Sequence, residues 1–372
     1  MRICYISKSS FPTFNASSLQ IVKMCENLSS LNNQVFLIAP DAGDKNLIFK
    51  DFYNLKNRFE FVKLKLFKKF PKNIYSYIFS FFSVIYSLRF RPHLYISRNI
   101  IIAFILFLFR KKQIVELHHD IAEEGRLSRH ILKFYNFLNS KNIIKVVVIS
   151  DNLKCFYVKN YNLDNSKIQI LPSASDIKIR KFYFANILKK KKFNIGFFGS
   201  FLKSKGVQLI INLAKIDRYN DYFIIGGKKE MINKIKLKYM NYKNLYFVSH
   251  LPHHKANILL SSMDILLLPF EKKITTAGDV GDITNFTSPL KLFDYLSLGK
   301  VILSSDIKVL KEILKNNVNC IFVRNFISPK SWLNEIKKLR NNIFIYNIIS
   351  RNSLIIAKRY TYYLRANKII KY

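Results

Sequence analysis

Short apolar runs rich in β-branched and aromatic residues alternate with longer helical patterns along the whole chain, and this alternation restricts the fold more than any other feature. Runs at residues 3–7, 34–39, 93–98, 113–118 and 145–150 read as strands, and the stretch 17–31 places Leu19, Val22, Cys25 and Leu28 on one helical face. The scheme repeats with strand candidates at 193–200, 222–227, 245–250, 264–270 and 301–305, separated by helical stretches at 207–216, 288–298 and 308–314. Strands that are apolar throughout and separated by helices belong to a parallel sheet covered on both faces. A chain of 372 residues exceeds one ordinary core. The expected fold class is therefore α/β, with two doubly wound Rossmann-like domains facing across a cleft. The expected division is an N-terminal domain at 1–180, a linker at 181–192 with four consecutive lysines, a C-terminal domain at 193–344, and closing helices at 345–372.

Apolar residues make up 49% of the chain and charged residues 23%, a globular balance. Charge is the outlier: 62 Lys and Arg against 23 Asp and Glu give a formal +39. Such a field favours polyanions, whether nucleic acid, anionic lipid headgroups or phosphorylated substrates. An AT-rich coding sequence would also enrich Lys, Asn, Ile, Phe and Tyr in this way. The lysines spread through both halves and no zinc finger or RRM-type aromatic signature is present, so nucleic acid is not an expected partner. Cys4, Cys25, Cys155 and Cys320 lie far apart with no C-x-x-C pair, and no secretory leader opens the sequence, which points to reduced thiols in the cytoplasm. The apolar stretches at 73–88 and 99–109 are expected as buried helices rather than membrane spans.

Two segments carry chemistry. In NIGFFGSFLKSKG a hydrophobic strand ends at Gly199 and Ser200, and Lys205-Gly206 opens a helix. Close backbone approach at glycine, free N–H groups at a helix start and a lysine charge are the parts of a phosphate cradle. Taken alone, the pattern fits a solvated lysine as well. In TSPLKLFDYLSLGKVILS, Pro289 suits the first turn of a helix with Ser288 placed to cap it, and Asp294 falls among Leu292, Phe293 and Tyr295. That acid is either on a polar surface or an acceptor for ligand hydroxyls.

SPLKLFDYLSLGKVILSSD resembles the donor-site helix of retaining glycosyltransferase family 4 (group 1), which has the GT-B fold, and GSFLKSKG resembles that family's phosphate loop. ASSLQIVKMCENLSSLNNQVFLIAP and VELHHD also fit, so the resemblance spans nearly the whole chain. It implies that Lys205 neutralises the donor diphosphate, assisted by Ser200, with Ser288, Leu290 and Lys291 at the helix start near the phosphates. Asp294 takes the place of the family's ribose-binding Glu. His118 would sit over the reacting sugar, with His119 as the alternative and a further sugar-binding candidate, and Ser17 and Ser18 would line the loop toward the donor. The family often has Arg where Ser200 stands, a place Lys203 could serve. A second family Glu is replaced by Phe286, which leaves the sugar to another group such as Asp282.

The resemblance implies a cytoplasmic, metal-independent hexosyltransferase of surface polysaccharide synthesis, for lipopolysaccharide or capsule. The N-terminal domain would bind a glycan or lipid-diphosphate-linked acceptor and the C-terminal domain a nucleotide-sugar, with no further cofactor. No D-x-D motif is present, so Lys205 and a helix dipole would stand in for a metal. Basic and aromatic residues interleave from 50 to 72, and the alternating run 59–67 is either an amphipathic strand with solvated lysines or a surface for anionic lipid on the inner face of the plasma membrane. A nucleotide-sugar epimerase of the same architecture is the enzymatic alternative, and a nucleic-acid-binding protein the non-enzymatic one. A dehydrogenase is disfavoured because no G-x-G-x-x-G follows the first strand.

Overall fold

The computed structural model describes residues 1–41, 43–65, 71–176, 192–275 and 281–371. Apart from Lys192, the segment expected as a linker lies outside the described residues, as do Phe67, Lys68, Lys69 and Phe70. The chain forms two compact units. Unit 1 comprises Met1–Ser173, Asn285–Thr287 and Tyr362–Tyr372; unit 2 comprises Ala174–Thr284 and Ser288–Thr361.

Unit 1 is built on strands β1 (Arg2–Ile6), β2 (Gln34–Pro40), β3 (Glu60–Leu64), β4 (Leu94–Ser97), β5 (Gln113–Leu117), β6 (Ile143–Val148) and β7 (Ile168–Ile170). They pair in parallel in the order β3-β2-β1-β4-β5-β6-β7. Unit 2 carries β8 (Asn194–Phe198), β9 (Asp221–Ile225), β10 (Leu245–Val248), β11 (Ile265–Leu268), β12 (Val301–Ser305) and β13 (Ile321–Val323), also parallel, in the order β10-β9-β8-β11-β12-β13. In both sheets the first strand of the unit has neighbours whose connections run off to opposite sides. Ligands of such sheets sit outside the carboxyl ends of the strands at that reversal, here the ends of β1 and β4 and of β8 and β11.

The central strands are buried on both faces: every residue of β4, β5, β11 and β12 is buried, which is why they appear as unbroken apolar runs. Helix Ala16–Ser30 packs on the last helix, Tyr362–Ile370, so the chain's final segment completes unit 1. In unit 2 helix Ile343–Ala357 packs on helix Leu290–Ser297.

Three local expectations need correction. The stretch 308–314 forms a short 3₁₀ turn, Lys308–Glu312, rather than an α-helix. Pro289 is the N-cap of helix Leu290–Ser297 and not a first-turn residue. Helix Lys72–Ser87 is not buried. Ile74, Tyr77, Phe81 and Ile85 form an exposed stripe at helical spacing, with Phe82 beside it, while Phe79, Ser80, Ser83, Val84 and Ser87 face inward. The serines tolerate burial because each donates to a carbonyl of its own helix: Ser80 to Ser76, Ser83 to Ser80, Ser87 to Val84. Helix Ile100–Leu108, by contrast, buries Ile100, Ile101, Ile102, Ala103 and Leu106 as expected. Among the described residues no helix is long and apolar enough to cross a membrane.

Candidate active site

In unit 2 the polar groups converge at the carboxyl end of β8. The strand leads through Gly199 and exposed Ser200 to a turn ending at Lys205, whose amide donates to the Leu202 carbonyl. Gly206 then caps helix Val207–Ile216 with φ of +73°. A side chain there would be strained, and its Cβ would meet Pro269 Cβ at 2.7 Å. Lys205 Nζ lies 5.3 Å from the Phe270 ring centroid, and Lys291 Nζ lies 5.0 Å from the same ring and 4.2 Å from that of Phe197. A Cβ added at Gly199 would stand 3.4 Å from Lys291 Nζ, which fixes that ammonium at the strand end.

Both lysines are thus held in a largely apolar, aromatic-walled place. Burial draws the Lys205 ammonium down to about 8. Burial, reinforced by the neighbouring Lys205 charge, holds Lys291 well below the usual lysine range. Lys291 Nζ is buried and has no hydrogen-bond partner among the described residues. Two amines confined together, with no ion pair to either among the described residues, suit an anion with more than one charge.

One turn along the same helix stands Asp294, 2% exposed. Its Oδ1 accepts from Ser175 Oγ at 2.8 Å, and its Oδ2 lies 2.8 Å from His253 Nε2. His253 opens helix His253–Ser261, and Asn257 Nδ2 approaches its ring at 3.2–3.3 Å. The next residue of the donor helix, Tyr295, accepts from the Phe198 amide at 2.9 Å and ties the helix to the end of β8. Lys205, Lys291 and Asp294 are therefore brought together. Asp282 is exposed and accepts from the backbone and hydroxyl of Thr284. Ser288 and Leu290 flank the start of the donor helix.

In unit 1 the carboxyl ends of β4 and β5 meet in a buried charged cluster. Glu116, wholly buried, accepts from Arg98 Nε at 2.8 Å and Tyr5 Oη at 3.0 Å on Oε2, and from Arg365 Nη1 at 2.8 Å on Oε1. Burial would raise its pKa, but the Arg365 and Arg98 guanidiniums outweigh that and hold it well below the carboxylate range. Arg365 also donates to the carbonyls of Pro172 and Leu171. His118 Nε2 stands 3.8 Å from Glu116 Oε2, too far for a hydrogen bond. Burial, with the Arg98 charge beside it, draws this imidazole down to about 3, so it is neutral at physiological pH.

His119 points elsewhere, with Nε2 3.2 Å from Glu124 Oε1. Ser17 is exposed at the start of helix Ala16–Ser30, whereas Ser18 is buried, donating to the Ser10 carbonyl and accepting from Thr13 Oγ1. Phe286 packs on Phe156 with ring centroids 5.1 Å apart, an apolar contact in the place of the family Glu. Of the cluster members, Arg98, Arg365, Ser175 and His253 carry no motif that would have singled them out. Among the described residues no group of three or more His, Cys, Asp or Glu is arranged to hold a metal ion. A cavity of about 830 Å³ lined by Asn316, Phe322, Arg324 and Lys338 contains none of these groups.

Residues 179–355 match the family described as Glycosyl transferases group 1. The chain is thus an enzyme, a glycosyltransferase with a group 1 domain spanning most of unit 2. Solved structures similar over the whole length include Alr3699/HepE of Anabaena in complex with UDP and glucose, at TM-score 0.72 and 13% identity, covering 99% of this chain and 98% of that one. Sucrose-phosphate synthase of Thermosynechococcus elongatus has TM-score 0.73 and 12% identity over 99% and 97% of the two chains. WaaG, a glycosyltransferase involved in lipopolysaccharide biosynthesis, has TM-score 0.66 and 14% identity over 98% of both. At these identities the likeness establishes the fold, two parallel-sheet α/β domains of GT-B type. No curated protein matches the sequence.

Proposed function

We propose that this glycosyltransferase moves a hexose, with retention and without a metal, from a UDP-sugar to a lipid-diphosphate-linked glycan in bacterial surface polysaccharide synthesis. The observation that carries the reading is the pair Lys205 and Lys291, cationic groups confined at the end of β8 one helical turn from Asp294. Sugar transfer develops positive charge on the ring while the diphosphate leaves with growing negative charge. Ammonium groups already in place stabilise that leaving charge without reorganisation. Asp294 has each oxygen engaged once by Ser175 and His253, and each retains a lone pair for a ribose hydroxyl. The choice of UDP is supported by the Anabaena structure with UDP-glucose.

The test is a thermal-stability screen with UDP-, GDP- and ADP-glucose. UDP-glucose at a hundredfold excess over its dissociation constant should add about 2.7 kcal/mol. Absence of a shift with every one of them at millimolar concentration would remove the donor assignment.

Peripheral attachment to the inner face of the plasma membrane belongs to the same proposal. The outward stripe of Ile74, Tyr77, Phe81 and Ile85 is supported by exposed Lys50, Lys56, Arg58, Lys63 and Lys65 in the same unit. Aromatic rings suit the boundary between headgroups and chains, and each lysine near anionic lipid contributes about 1 kcal/mol. The protein should float with phosphatidylcholine vesicles containing phosphatidylglycerol, less so at high salt, and F81S/F82S should abolish recovery. Equal recovery on vesicles with and without the anionic lipid would count against it.

A further inference from the structure

The buried cluster of unit 1 is not balanced. Two guanidiniums, Arg98 and Arg365, share one carboxylate, Glu116, and His118 is neutral. The Arg365 fork is filled, with Nη1 on Glu116, Nε on the Pro172 carbonyl and Nη2 on the Leu171 carbonyl. The Arg98 fork is not. Its Nε holds Glu116, while Nη2 is buried with no hydrogen-bond partner among the described residues. His118 Nε2 is buried and unpartnered in the same way. Both atoms belong to groups that adjoin one oxygen, Glu116 Oε2.

A buried donor left unmade costs about 1–3 kcal/mol, and more when it is charged. Native proteins leave few such groups, and those they leave call for a partner. Two orphans in one cluster with an uncompensated positive charge, at the strand ends where doubly wound sheets bind ligands, call for an anionic one. A guanidinium fork matches the paired oxygens of a phosphate, and a neutral imidazole beside it can bond a further oxygen.

We propose that Arg98 is the anchor of a second phosphate subsite, in unit 1 and separate from the lysine pair of unit 2, which takes the diphosphate of a lipid-linked acceptor with His118 bonding an oxygen next to it. This rests on the acceptor reading above for the identity of the ligand, while the donor reading stands on unit 2 alone. Glu116 and Arg365 are its support: Glu116 holds the Arg98 Nε edge, and Arg365 in turn holds Glu116.

The probes are farnesyl diphosphate, farnesol, inorganic pyrophosphate and UDP, with binding to the full chain measured by calorimetry at near-physiological salt. The parent should bind farnesyl diphosphate and not farnesol, and pyrophosphate should compete. R98Q should weaken farnesyl diphosphate tenfold or more and leave UDP unchanged. R98K, which keeps the charge and loses the fork, should also weaken it, and serves if R98Q fails to fold. The exposed Lys141→Gln, which removes one charge from the surface of the same unit, should change nothing. The proposal is overturned if the parent binds farnesyl diphosphate no better than farnesol, if both folded Arg98 variants bind it like the parent, or if the Arg98 variants weaken UDP by the same factor. Loss of UDP binding in Lys205→Ala with farnesyl diphosphate unaffected would support two independent anion sites.

Discussion

Lys205→Ala should lower kcat/KM for the nucleotide-sugar about 10- to 150-fold, the loss of a charge-assisted contact of roughly 1.5–3 kcal/mol made to a leaving diphosphate. The effect should fall on kcat as well as KM, because the charge on the leaving group grows toward the transition state. Its pH signature is specific. Lys205 sits near 8 in the free enzyme, so kcat/KM should decline as pH rises through about 8 and the ammonium loses its proton. Lys205→Arg keeps the charge and should abolish that alkaline decline even where it lowers the plateau. A diphosphate beside Lys205 and Lys291 opposes the lowering that burial causes, so donor binding near pH 8, where Lys205 is partly deprotonated, should take up protons from the buffer. Calorimetry in buffers of different ionisation enthalpy measures that uptake. A Lys205→Ala enzyme with unaltered kcat/KM would reject the phosphate assignment.

How much of this could be foreseen follows from where each signal resides. Strands β1, β2, β4, β5 and β6 and their counterparts in unit 2 were legible because both faces of a covered parallel sheet demand apolar residues. The three-residue strands β7 and β13 are too short to show a period. Helix Lys72–Ser87 was legible as a helix and misread as buried. Hydropathy weighs its aromatic residues and cannot tell that serines, satisfied by their own backbone, take the inner face.

In the site, Lys205, Lys291 and Asp294 were visible because they lie in two local segments whose spacing repeats a family pattern. Arg98, Glu116 and Arg365 come from β4's end, β5 and the last helix, and only the fold brings them together. The same holds for Ser175, Asp294 and His253. A charged residue on its own in a sequence full of charges has no distinguishing neighbour; the pairing is information held by topology. The return of helix Tyr362–Ile370 to unit 1 is likewise a tertiary fact, set by its packing on helix Ala16–Ser30.

Glu116→Ala should produce the largest loss of stability of any single change in the charged clusters, about 3–5 kcal/mol, because it takes the shared carboxylate from the buried Arg365 and the partly buried Arg98 guanidiniums. Glu116→Gln, which preserves shape and one acceptor oxygen, should lie between parent and alanine. The only tryptophan, Trp332, is buried in unit 2, so its fluorescence follows that unit's unfolding. The urea midpoint by far-ultraviolet circular dichroism should therefore fall in Glu116→Ala more than the midpoint by tryptophan fluorescence. Acid supplies a second check. The folded Glu116 pKa is depressed, so its contribution is present above the ordinary carboxylate pKa and is lost as pH falls through the folded value. The deficit of the alanine variant should shrink accordingly in strong acid. His118 acts earlier: from about 6.5 down to about 3 the unfolded chain binds a proton that the folded chain refuses, and parental stability should fall with pH across that window. His118→Asn should flatten that portion of the curve and leave most of the Glu116 portion in place, since the Arg365 and Arg98 guanidiniums lower Glu116 more than His118 does. A Glu116→Ala protein with the parental dichroism midpoint would mean that water reaches the guanidiniums, and the cluster would then be neither buried nor in want of an anion.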